Sequence, residues 1–409
     1  MDILFIHQNM PAQFKNLAPA IGASGRHRVI FVTRVKGPDL PGVRRVGYEG
    51  PRPAGSATHH YVRLYEAGVR YGQQVVRQLQ TLKREGFDPA IVIGHPGWGE
   101  MLFVKDVFPR AVVLSYSEFY YRGSGADIGF DPDHPADLET VCRARARNAH
   151  LLLSLEMADA GLSPTRWQRS LHPGIFLPKI QTIFDGVDTD VVKPDPAAAF
   201  RLADGRTLTR ADEVLTYIAR NLEPYRGYPS FIRSIPAILA ARPNAHIVIT
   251  GGDQVSYGVP APEGKSWRTH MEEEVPLAGA MGAGRVHFTG KLPYSRYLSL
   301  LRVSTAHVYL TVPFVLSWSF VEAMASGCVM IASDTAPVVE FIDPGHNGLL
   351  VPIYDPAAIA DCVVATLGDR SQHLRLRKTA RATVLERYAL ARCLPQQIRL
   401  IERLTDTVI

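Results

Sequence analysis

Short, continuously apolar segments rich in β-branched residues recur along this chain, separated by stretches long enough to form helices. Continuous apolar runs, as opposed to alternating ones, are typical of strands buried on both faces, as in parallel sheets covered by helices. The repeated order of strand, helix and strand therefore predicts the doubly wound α/β class. The predicted strands are 3–6, 29–33, 90–93, 111–114, 151–154 and 180–183 in the first half, and 214–218, 246–250, 286–288, 308–310, 329–332 and 349–351 in the second.

The strand pattern occurs twice, with a break at residues 190–212. This segment holds Lys193-Pro194-Asp195-Pro196 and Gly205 but no strand-like run, which predicts a linker with a short helix. We therefore expect two Rossmann-like domains, residues 1–190 and 191–388, followed by a C-terminal helix at 389–409.

The last segment is amphipathic because its apolar residues recur at helical spacing: Leu390, Leu394, Ile398 and Ile401. Such a helix must dock its apolar face. From the sequence, docking on its own domain and crossing back to the first domain are both open.

Composition excludes several classes of protein. Hydrophobic residues make up 46% of the 409 residues, which excludes wholesale disorder. No apolar run approaches the ~18 residues that cross a bilayer, and the start of the chain does not resemble a signal peptide, so we expect a cytoplasmic protein. The four cysteines form no CxxC pair, which argues against a disulfide framework or a zinc ribbon.

The net charge of +6 fits anionic small substrates, a membrane surface or nucleic acid. Nucleic acid is disfavoured because the arginines are not gathered with aromatic residues on one element. A dinucleotide oxidoreductase is disfavoured because no GxGxxG follows the first strand.

Candidate binding groups in the second half follow predicted strands, at the end where such sheets bind ligands. Arg220 and Arg226 flank a strand-to-helix turn and could clamp a diphosphate. Free backbone N–H groups at Ser317 and Trp318 would face an anion, and Glu322, one turn further, could accept from sugar hydroxyls. Solvated surface side chains are the alternative for Glu322 and the arginines.

Further candidates are the Gly251-Gly252-Asp253 turn in the second half and polar residues after strands in the first half. Gly251 and Asp253 indicate only a close backbone approach or a turn. The candidate residues of the first half are His7, Asn9 and Gln13 in the opening loop, His95 after the strand 90–93, and Ser117 and Glu118 after the strand 111–114.

Several motifs in one order make the second half resemble the donor domain of family 4 retaining glycosyltransferases, which have the GT-B fold. After Arg220, Arg226 and Gly251-Gly252-Asp253 come Val286 to Leu292, Glu322 to Gly327, Ala332-Ser333-Asp334, Glu340-Phe341-Ile342, Asn347 to Pro352 and Asp355. Ser163-Pro164-Thr165 and Asp185 to Thr189 also fit. The resemblance covers residues 160–370 well and the first 150 residues in outline.

The resemblance implies two Rossmann-like domains facing each other across a cleft, and transfer of a sugar from a nucleoside-diphosphate sugar with retention of its anomeric configuration. It implies no metal and no cofactor besides the sugar nucleotide, and an acceptor that is a glycan, a lipid-linked sugar or a small molecule. Arg220 and Arg226 match the Arg and Lys that bind the donor diphosphate, and Glu322 matches the glutamate that holds the ribose. Backbone at Lys291 and Leu292 would meet the base, and backbone at Ser317 and Trp318 the sugar or the phosphates.

Three departures from the family pattern matter. Phe314 stands where the first glutamate of the family's pair contacts the donor sugar, and it cannot accept a hydrogen bond. Ala12 and Gln13 stand where glycines approach the donor phosphate, so His7, Gln8, Asn9 or Gln13 are expected to contact substrate instead. Ser117 aligns with the family's cleft histidine, which leaves His95 and Glu118 as candidates for acid–base or polar work.

Other interpretations stay open at this point. Within enzymes the rival is another GT-B activity, such as a sugar-nucleotide epimerase or a glycogen-type phosphorylase. Outside enzymes the rival is a non-catalytic protein that binds a sugar nucleotide.

One basic segment and two acidic segments suggest possible functions. Arg143, Arg145 and Arg147 form either a solvated helix face or a contact with an anionic membrane. The segments Asp131-Pro132-Asp133 and Asp188-Thr189-Asp190 resemble a metal-binding DxD, but their context predicts turns. The sequence does not determine the base, the sugar, the acceptor or the oligomeric state.

Overall fold

The computed structural model describes the whole chain except Lys36 and Asp133, and only the backbone at residues 370–372. The chain divides into two compact units. The first contains Met1–Gly186 and Ala391–Ile409, and the second contains Val187–Leu390.

The strands are β1 Asp2–Ile6, β2 Arg28–Thr33, β3 Val43–Gly47, β4 Pro89–Gly94, β5 Val112–Tyr116, β6 Ala160–Ser163, β7 Ile180–Thr182, β8 Ala199–Arg201, β9 Thr207–Thr209, β10 Val214–Asn221, β11 His246–Gly252, β12 Val286–Gly290, β13 Ala306–Tyr309, β14 Val329–Ser333 and β15 Leu349–Val351. The helices are α1 Leu17–Ala23, α2 Arg63–Arg84, α3 Val104–Val107, α4 Leu138–Arg147, α5 Ala149–Met157, α6 Arg166–Ser170, α7 Tyr228–Ala241, α8 Trp267–Glu274, α9 Ala278–Gly282, α10 Tyr294–Val303, α11 Trp318–Ala325, α12 Ala336–Val339, α13 Pro356–Gly368, α14 Arg370–Arg387 and α15 Leu390–Thr405. Short 3₁₀ helices lie at Ala12–Phe14, Gly174–Lys179, Pro224–Arg226 and Pro262–Gly264.

The first unit is built on a seven-stranded sheet in the order β3-β2-β1-β4-β5-β6-β7, with every neighbouring pair parallel. The strand order reverses between β1 and β4. In open α/β sheets, loops at the carboxyl ends of the strands beside such a reversal form the ligand site. The loops that follow β1, β4 and β5 therefore start at one edge of this sheet.

The second unit has a six-stranded parallel sheet in the order β12-β11-β10-β13-β14-β15. Its strand order reverses between β10 and β13, so the loops after β10, β11, β12 and β13 lie near one switch point. The predicted fold class, two Rossmann-like α/β units, is confirmed.

Several local predictions were wrong, and strand β6 at Ala160–Ser163 was not predicted. Residues 151–154 lie in α5 and not in a strand, because a short apolar run fits a buried helix as well as a strand. Strand β3 was missed because it lies at the sheet edge and carries two arginines among its five residues. The segment 190–212 contains the antiparallel hairpin β8–β9, in which Ala199 pairs with Thr209, and no α-helix.

The C-terminal helix α15 completes the core of the first unit. Leu400 and Ile401 are buried there in one cluster with Ile3 and Phe5 of β1. The Gln397 side chain donates to the Phe184 carbonyl oxygen at 3.2 Å. The apolar face of this helix is therefore part of the core built around β1. Over the part of the chain that the structure describes, no helix combines the length and apolar character that crossing a membrane requires.

We expect Leu400→Ala or Ile401→Ala to lower the free energy of unfolding of the first unit by about 2–5 kcal/mol, because each leaves a cavity in a closed core. Arg392→Ala, at an exposed position of the same helix, is the matched control and should change stability by less than about 0.5 kcal/mol. Chemical denaturation checks both. Equal stabilities for all three variants would mean that α15 does not belong to this core.

Candidate functional site

In the first unit, four side chains predicted from the sequence meet at the carboxyl edge of the sheet. His95 follows β4, and its Nε2 lies 3.2 Å from Oε2 of Glu118, which follows β5. Gln13, from the loop after β1, donates through Nε2 to Glu118 Oε1 at 2.7 Å. The His7 ring lies 5.0 Å from the His95 ring. These four residues are called the histidine cluster below.

Backbone groups fix the orientation of both histidine rings. The Asn9 N–H donates to His7 Nδ1 at 2.8 Å, and the Gly97 N–H donates to His95 Nδ1 at 3.0 Å. In the neutral rings the proton is therefore on Nε2, and His95 presents it to Glu118. Asn9, whose side chain is exposed, thus contacts the histidine cluster through its backbone N–H.

Burial decides the charges of the histidine cluster. Burial, together with the neighbouring His95, lowers the pKa of His7 to about 3. Burial also opposes ionisation of Glu118, but the hydrogen bond from His95 and the one from Gln13 outweigh it and lower the pKa of this carboxyl. The cluster at neutral pH is therefore a neutral His7 beside a carboxylate that is hydrogen-bonded to His95.

Tyr116 and Asp185 support the cluster, and sequence reasoning did not assign them a role. The Tyr116 ring stacks on His95 at 5.7 Å, and its hydroxyl donates to Asp185 Oδ1 at 2.7 Å. The structure does not bring Ser117 into the group, since its buried hydroxyl donates to the Ser115 carbonyl oxygen at 3.4 Å. The position of Tyr116 two residues after the predicted strand 111–114 was the available signal.

In the second unit, the two arginines of the predicted diphosphate clamp lie in different environments. Arg220, near the end of β10, is exposed. Arg226 is buried, and its guanidinium donates to Tyr309 Oη at 3.1 Å, to Thr311 Oγ1 at 2.7 Å and to the Val315 carbonyl oxygen at 3.0 Å. Of these two arginines, Arg220 alone is exposed.

The prediction of a free N–H group at Ser317 was wrong. This N–H donates to Tyr309 Oη at 2.9 Å, so the loop before α11 is closed by the same hydroxyl that accepts from Arg226. The Ser317 side chain caps the helix by accepting from the Ser319 N–H. Trp318, the first residue of α11, is half-buried.

Glu322 is a buried carboxylate, 7% exposed, and not a surface glutamate. Its two oxygens accept from the Tyr294 hydroxyl at 2.9 Å and from the Tyr297 hydroxyl at 2.7 Å. Burial and the Glu322 charge raise the pKa of both tyrosines, so both donate at neutral pH. An ionised carboxylate has about four acceptor sites, so two remain for a ligand hydroxyl.

Sequence reasoning missed Tyr294 and Tyr297. They stand three residues apart at the start of α10 and therefore share one face of that helix. This spacing was the signal that could have found them.

The remaining donor-side candidates lie at the end of β11 and on the loops after β11 and β12. Gly251 is required by packing, since a Cβ there would lie 2.7 Å from Leu222 Cδ2 and 3.0 Å from the Ala219 carbonyl oxygen. Asp253 and Lys291 are exposed, and Leu292 is half-buried. The Lys291 side chain packs against the end of β11, since a Cβ on Gly252 would lie 2.6 Å from Lys291 Cε.

Phe314 is buried in an aromatic group. Its ring lies 4.9 Å from the Tyr257 ring and 5.4 Å from the Tyr225 ring. Arg226 stands over Tyr257 at 5.6 Å. The position that carries a carboxylate in the resembling family is therefore filled by an apolar contact in this chain.

Glu223 anchors the loop that carries Tyr257, a role that the sequence did not suggest. The side chain is fully buried, and Oε2 accepts from the backbone N–H groups of Ser256, Tyr257 and Gly258 at 3.1, 3.1 and 3.2 Å. A carboxylate that accepts several backbone N–H groups fixes a loop strongly, because each bond is charge-assisted.

Within the described part of the chain, no group of three or more His, Cys, Asp and Glu side chains could hold a metal ion. Asp188 Oδ1 accepts from the N–H groups of Asp190 and Val191, which makes a turn of that segment. Of the other DxD-like segment, Asp133 lies outside the described residues.

We expect Glu223→Ala to speed hydrogen exchange of the amides at residues 256–258 and to lower the stability of the second unit by about 1–3 kcal/mol, because three N–H groups lose their acceptor. Glu223→Gln keeps one acceptor oxygen and is expected to restore most of the protection. Exchange measured by mass spectrometry on both variants is the check, and unchanged exchange in Glu223→Ala would contradict the anchoring role.

The acid sensitivity of the first unit should depend on His7. The unfolded chain takes up a proton on this ring below pH ~6.5, whereas the folded protein does so only near pH 3. Stability is therefore lost as the pH falls through this window, by up to about 1.4 kcal/mol per pH unit. His7→Asn should flatten the slope of stability against pH. His346→Asn, at an exposed site, is the matched control, and an unchanged slope in His7→Asn would refute the assignment.

Comparison with known protein families gives two adjacent matches. The family described as "Glycosyl transferase family 4 group" matches residues 25–192, and the family described as "Glycosyl transferases group 1" matches residues 212–369. The two matches fall on the two units in chain order and together cover well over half of the chain.

Among similar proteins, the D-inositol 3-phosphate glycosyltransferase of Corynebacterium glutamicum is 26% identical over 207 residues, which are 49% of this chain and 46% of that protein. The GDP-mannose-dependent alpha-(1-6)-phosphatidylinositol monomannoside mannosyltransferase of Mycobacterium tuberculosis is 28% identical over 230 residues, covering 53% of this chain and 55% of that protein. The matches thus span about half the length of these relatives.

Solved structures share the fold over the whole chain. Sucrose-phosphate synthase of Thermosynechococcus elongatus has a TM-score of 0.69 at 16% identity, with 99% of each chain covered. The Anabaena protein HepE in complex with UDP has a TM-score of 0.67 at 14% identity, with 98% of this chain and 100% of that chain covered. The sequence matches and the shared architecture agree with the resemblance drawn from the motifs: this chain belongs to the family 4 glycosyltransferases with the GT-B fold.

Proposed function

We propose that this protein transfers a sugar from a nucleoside-diphosphate sugar to a hydroxyl group of an acceptor, with retention of the anomeric configuration. The observation that carries the proposal is the buried Glu322 carboxylate, held by two tyrosine hydroxyls one turn into a helix that starts at the carboxyl edge of the sheet. Arg220, near the end of β10, and Lys291, directly after β12, are exposed side chains on the same sheet. A carboxylate for hydroxyl groups and two cations for phosphates are the groups that a nucleoside-diphosphate sugar requires.

The proposed roles follow from the chemistry of each group. Glu322 accepts hydrogen bonds from the ribose hydroxyls through its two remaining acceptor sites. Arg220 binds the diphosphate directly, and the buried Arg226 adds positive charge from below while it fixes the loop before α11. Backbone at Gly251, Lys291 and Leu292 lies beside the base and phosphates.

The donor is proposed to be a uridine or guanosine diphosphate sugar. One relative is named GDP-mannose-dependent, and the structural neighbour HepE was solved with UDP and with UDP-glucose. The donor sugar is left open because Phe314 replaces the carboxylate that contacts the sugar in the family.

In the proposed reaction the bond between the anomeric carbon and the diphosphate oxygen breaks, and the acceptor oxygen bonds to the same carbon on the same face. The acceptor proton passes to the leaving phosphate oxygen, so that atoms and charge balance. Arg220, Arg226 and Lys291 stabilise the charge that develops on the diphosphate. The proposal assigns this charge to protein cations and includes no metal or cofactor.

The first unit is proposed to bind the acceptor at the histidine cluster, where the carboxylate of Glu118 can accept from an acceptor hydroxyl and orient it. Glycans, lipid-linked sugars and small molecules are the acceptor classes considered. Two relatives are named for inositol phosphate and phosphatidylinositol substrates. For a lipid-linked acceptor, the exposed Arg143, Arg145 and Arg147 of α4 are proposed to contact an anionic membrane.

The test begins with a thermal-shift screen of the purified protein against UDP, GDP, TDP, ADP and CMP. We expect one diphosphate to raise the melting temperature, because a ligand that binds only the folded state stabilises it. Calorimetry with that nucleotide should then show affinity weaker by about 1–3 kcal/mol in Arg220→Ala and in Glu322→Gln, the scale of lost charge-assisted hydrogen bonds.

Arg201→Ala is the control, since this arginine is also exposed but lies on the small β8–β9 sheet. Unchanged affinity in Arg220→Ala and Glu322→Gln would refute the donor site. Nucleotide binding without transfer to any acceptor and without slow donor hydrolysis would indicate a non-catalytic sugar-nucleotide-binding protein.

A further inference from the structure

Trp98 is an exposed indole between buried polar residues. Its exposed fraction is 37%, whereas His95 and Glu100 on either side are 4% and 1% exposed. An indole that served only to fill the core would be buried, because its large apolar surface gains most from being covered. Over a third of Trp98 is therefore accessible to a ligand.

The backbone of the loop that carries Trp98 is held on both sides of the indole by hydrogen bonds and close packing. The Gly97 N–H donates to His95 Nδ1 at 3.0 Å, and His150 Nε2 donates to the Gly97 carbonyl oxygen at 3.0 Å. Gly99 has a φ of +99° and packs on α2, where a Cβ would lie 2.3 Å from the Gly68 carbonyl oxygen. Glycines on both sides and fixed backbone groups present the ring at the sheet edge.

The indole lies directly beside the histidine cluster. Its ring centre is 5.3 Å from His7 and 5.1 Å from His95, whose Nε2 contacts Glu118. A ligand lying on the indole would thus find a carboxylate and histidine N–H groups next to it. An apolar ring face beside a few convergent polar groups is the usual composition of a small-molecule site.

A pyranose ring fits this combination. One face of the sugar carries polarised C–H groups, which the negative face of an aromatic ring attracts, while the hydroxyls at the ring edge need hydrogen-bond partners. A flat aromatic ligand would use the indole but would leave Glu118 without a hydroxyl donor. The chemistry of the two parts together favours a carbohydrate.

We propose that Trp98 is the platform on which a sugar ring of the acceptor stacks, and that the acceptor is therefore a carbohydrate that presents a pyranose face to Trp98 and a hydroxyl group to Glu118. The identification of this sugar as the acceptor rests on the proposed transfer function. The sugar site itself stands on the geometry of the first unit.

The experiment labels the four tryptophans with 5-fluorotryptophan and follows them by fluorine NMR. Trp98→Phe assigns the Trp98 resonance. The probes are methyl α-glucopyranoside, methyl α-mannopyranoside, methyl α-galactopyranoside and, as an aromatic ligand without a sugar, indole-3-propionic acid. We expect at least one glycoside to shift the Trp98 resonance, and Glu118→Gln to weaken that shift several-fold. The resonance of Trp267, which lies in the second unit and donates to Val259, is the internal control and should not move.

Transfer assays supply the second measurement once a donor has been found. Trp98→Ala should raise the KM for a carbohydrate acceptor about tenfold or more, equivalent to ~1.4 kcal/mol, and leave the KM for the donor unchanged. Trp98→Phe, which keeps an aromatic face, should recover most of the loss. An acceptor KM that does not change in Trp98→Ala would overturn the proposal.

The two proposals fail in different ways. Glycosides that shift Trp98 in a protein that uses no sugar nucleotide would support the sugar site and refute transfer. Measurable transfer with a Trp98 resonance that no glycoside moves, or that only indole-3-propionic acid moves, would refute the platform and leave the donor site intact.

Discussion

Burial of the central strands on both faces is the constraint on which both units depend. Strands β1 and β4 are almost wholly apolar and buried. An unpaired polar group between a sheet and its helices would cost about 2–7 kcal/mol. Polar groups are therefore displaced to the strand ends, where helices begin and backbone N–H groups are available. His7 and His95 are the first residues after β1 and β4. The candidate site residues are thus concentrated at one edge of each sheet.

Three buried or half-buried carboxylates at these edges are stabilised in three ways, and the partners decide what each can do. Glu223 is anchored by three backbone N–H groups, which suits a structural role because the partners cannot rotate away. Glu322 is held by two tyrosine hydroxyls, which leave acceptor sites for a ligand. Glu118 is shared between a histidine and an amide, so its charge is coupled to a group that can carry a proton.

The sequence was sufficient for features that depend on local pattern. Continuous apolar runs predicted most strands of both sheets, and the motif order predicted the family. The interpretation was wrong where two structures share one pattern, as at 151–154, where a buried helix and a buried strand look alike. The sequence could not predict hydrogen-bond partners, because they come from other elements of the fold. The Tyr309 hydroxyl accepts from the Ser317 N–H, eight residues away, and Asp185 accepts from the Tyr116 hydroxyl, 69 residues away.

The two arginines of the donor motif show why residue identity alone did not determine the site. Arg220 remains exposed at the strand end, whereas Arg226 spreads its guanidinium over three acceptors between Tyr309 and Val315. A planar fork can hold such separated acceptors in fixed directions, which a compact ammonium group does less well. Arg226 also stands over the Tyr257 ring that packs on Phe314. The charge of Arg226 and the aromatic residue at position 314 therefore belong to one packed group. A carboxylate introduced at 314 would enter this apolar group, where the neighbouring Arg226 guanidinium already donates to Tyr309, Thr311 and Val315. A glutamate at this position would thus lose the ring contacts that Phe314 makes with Tyr225 and Tyr257.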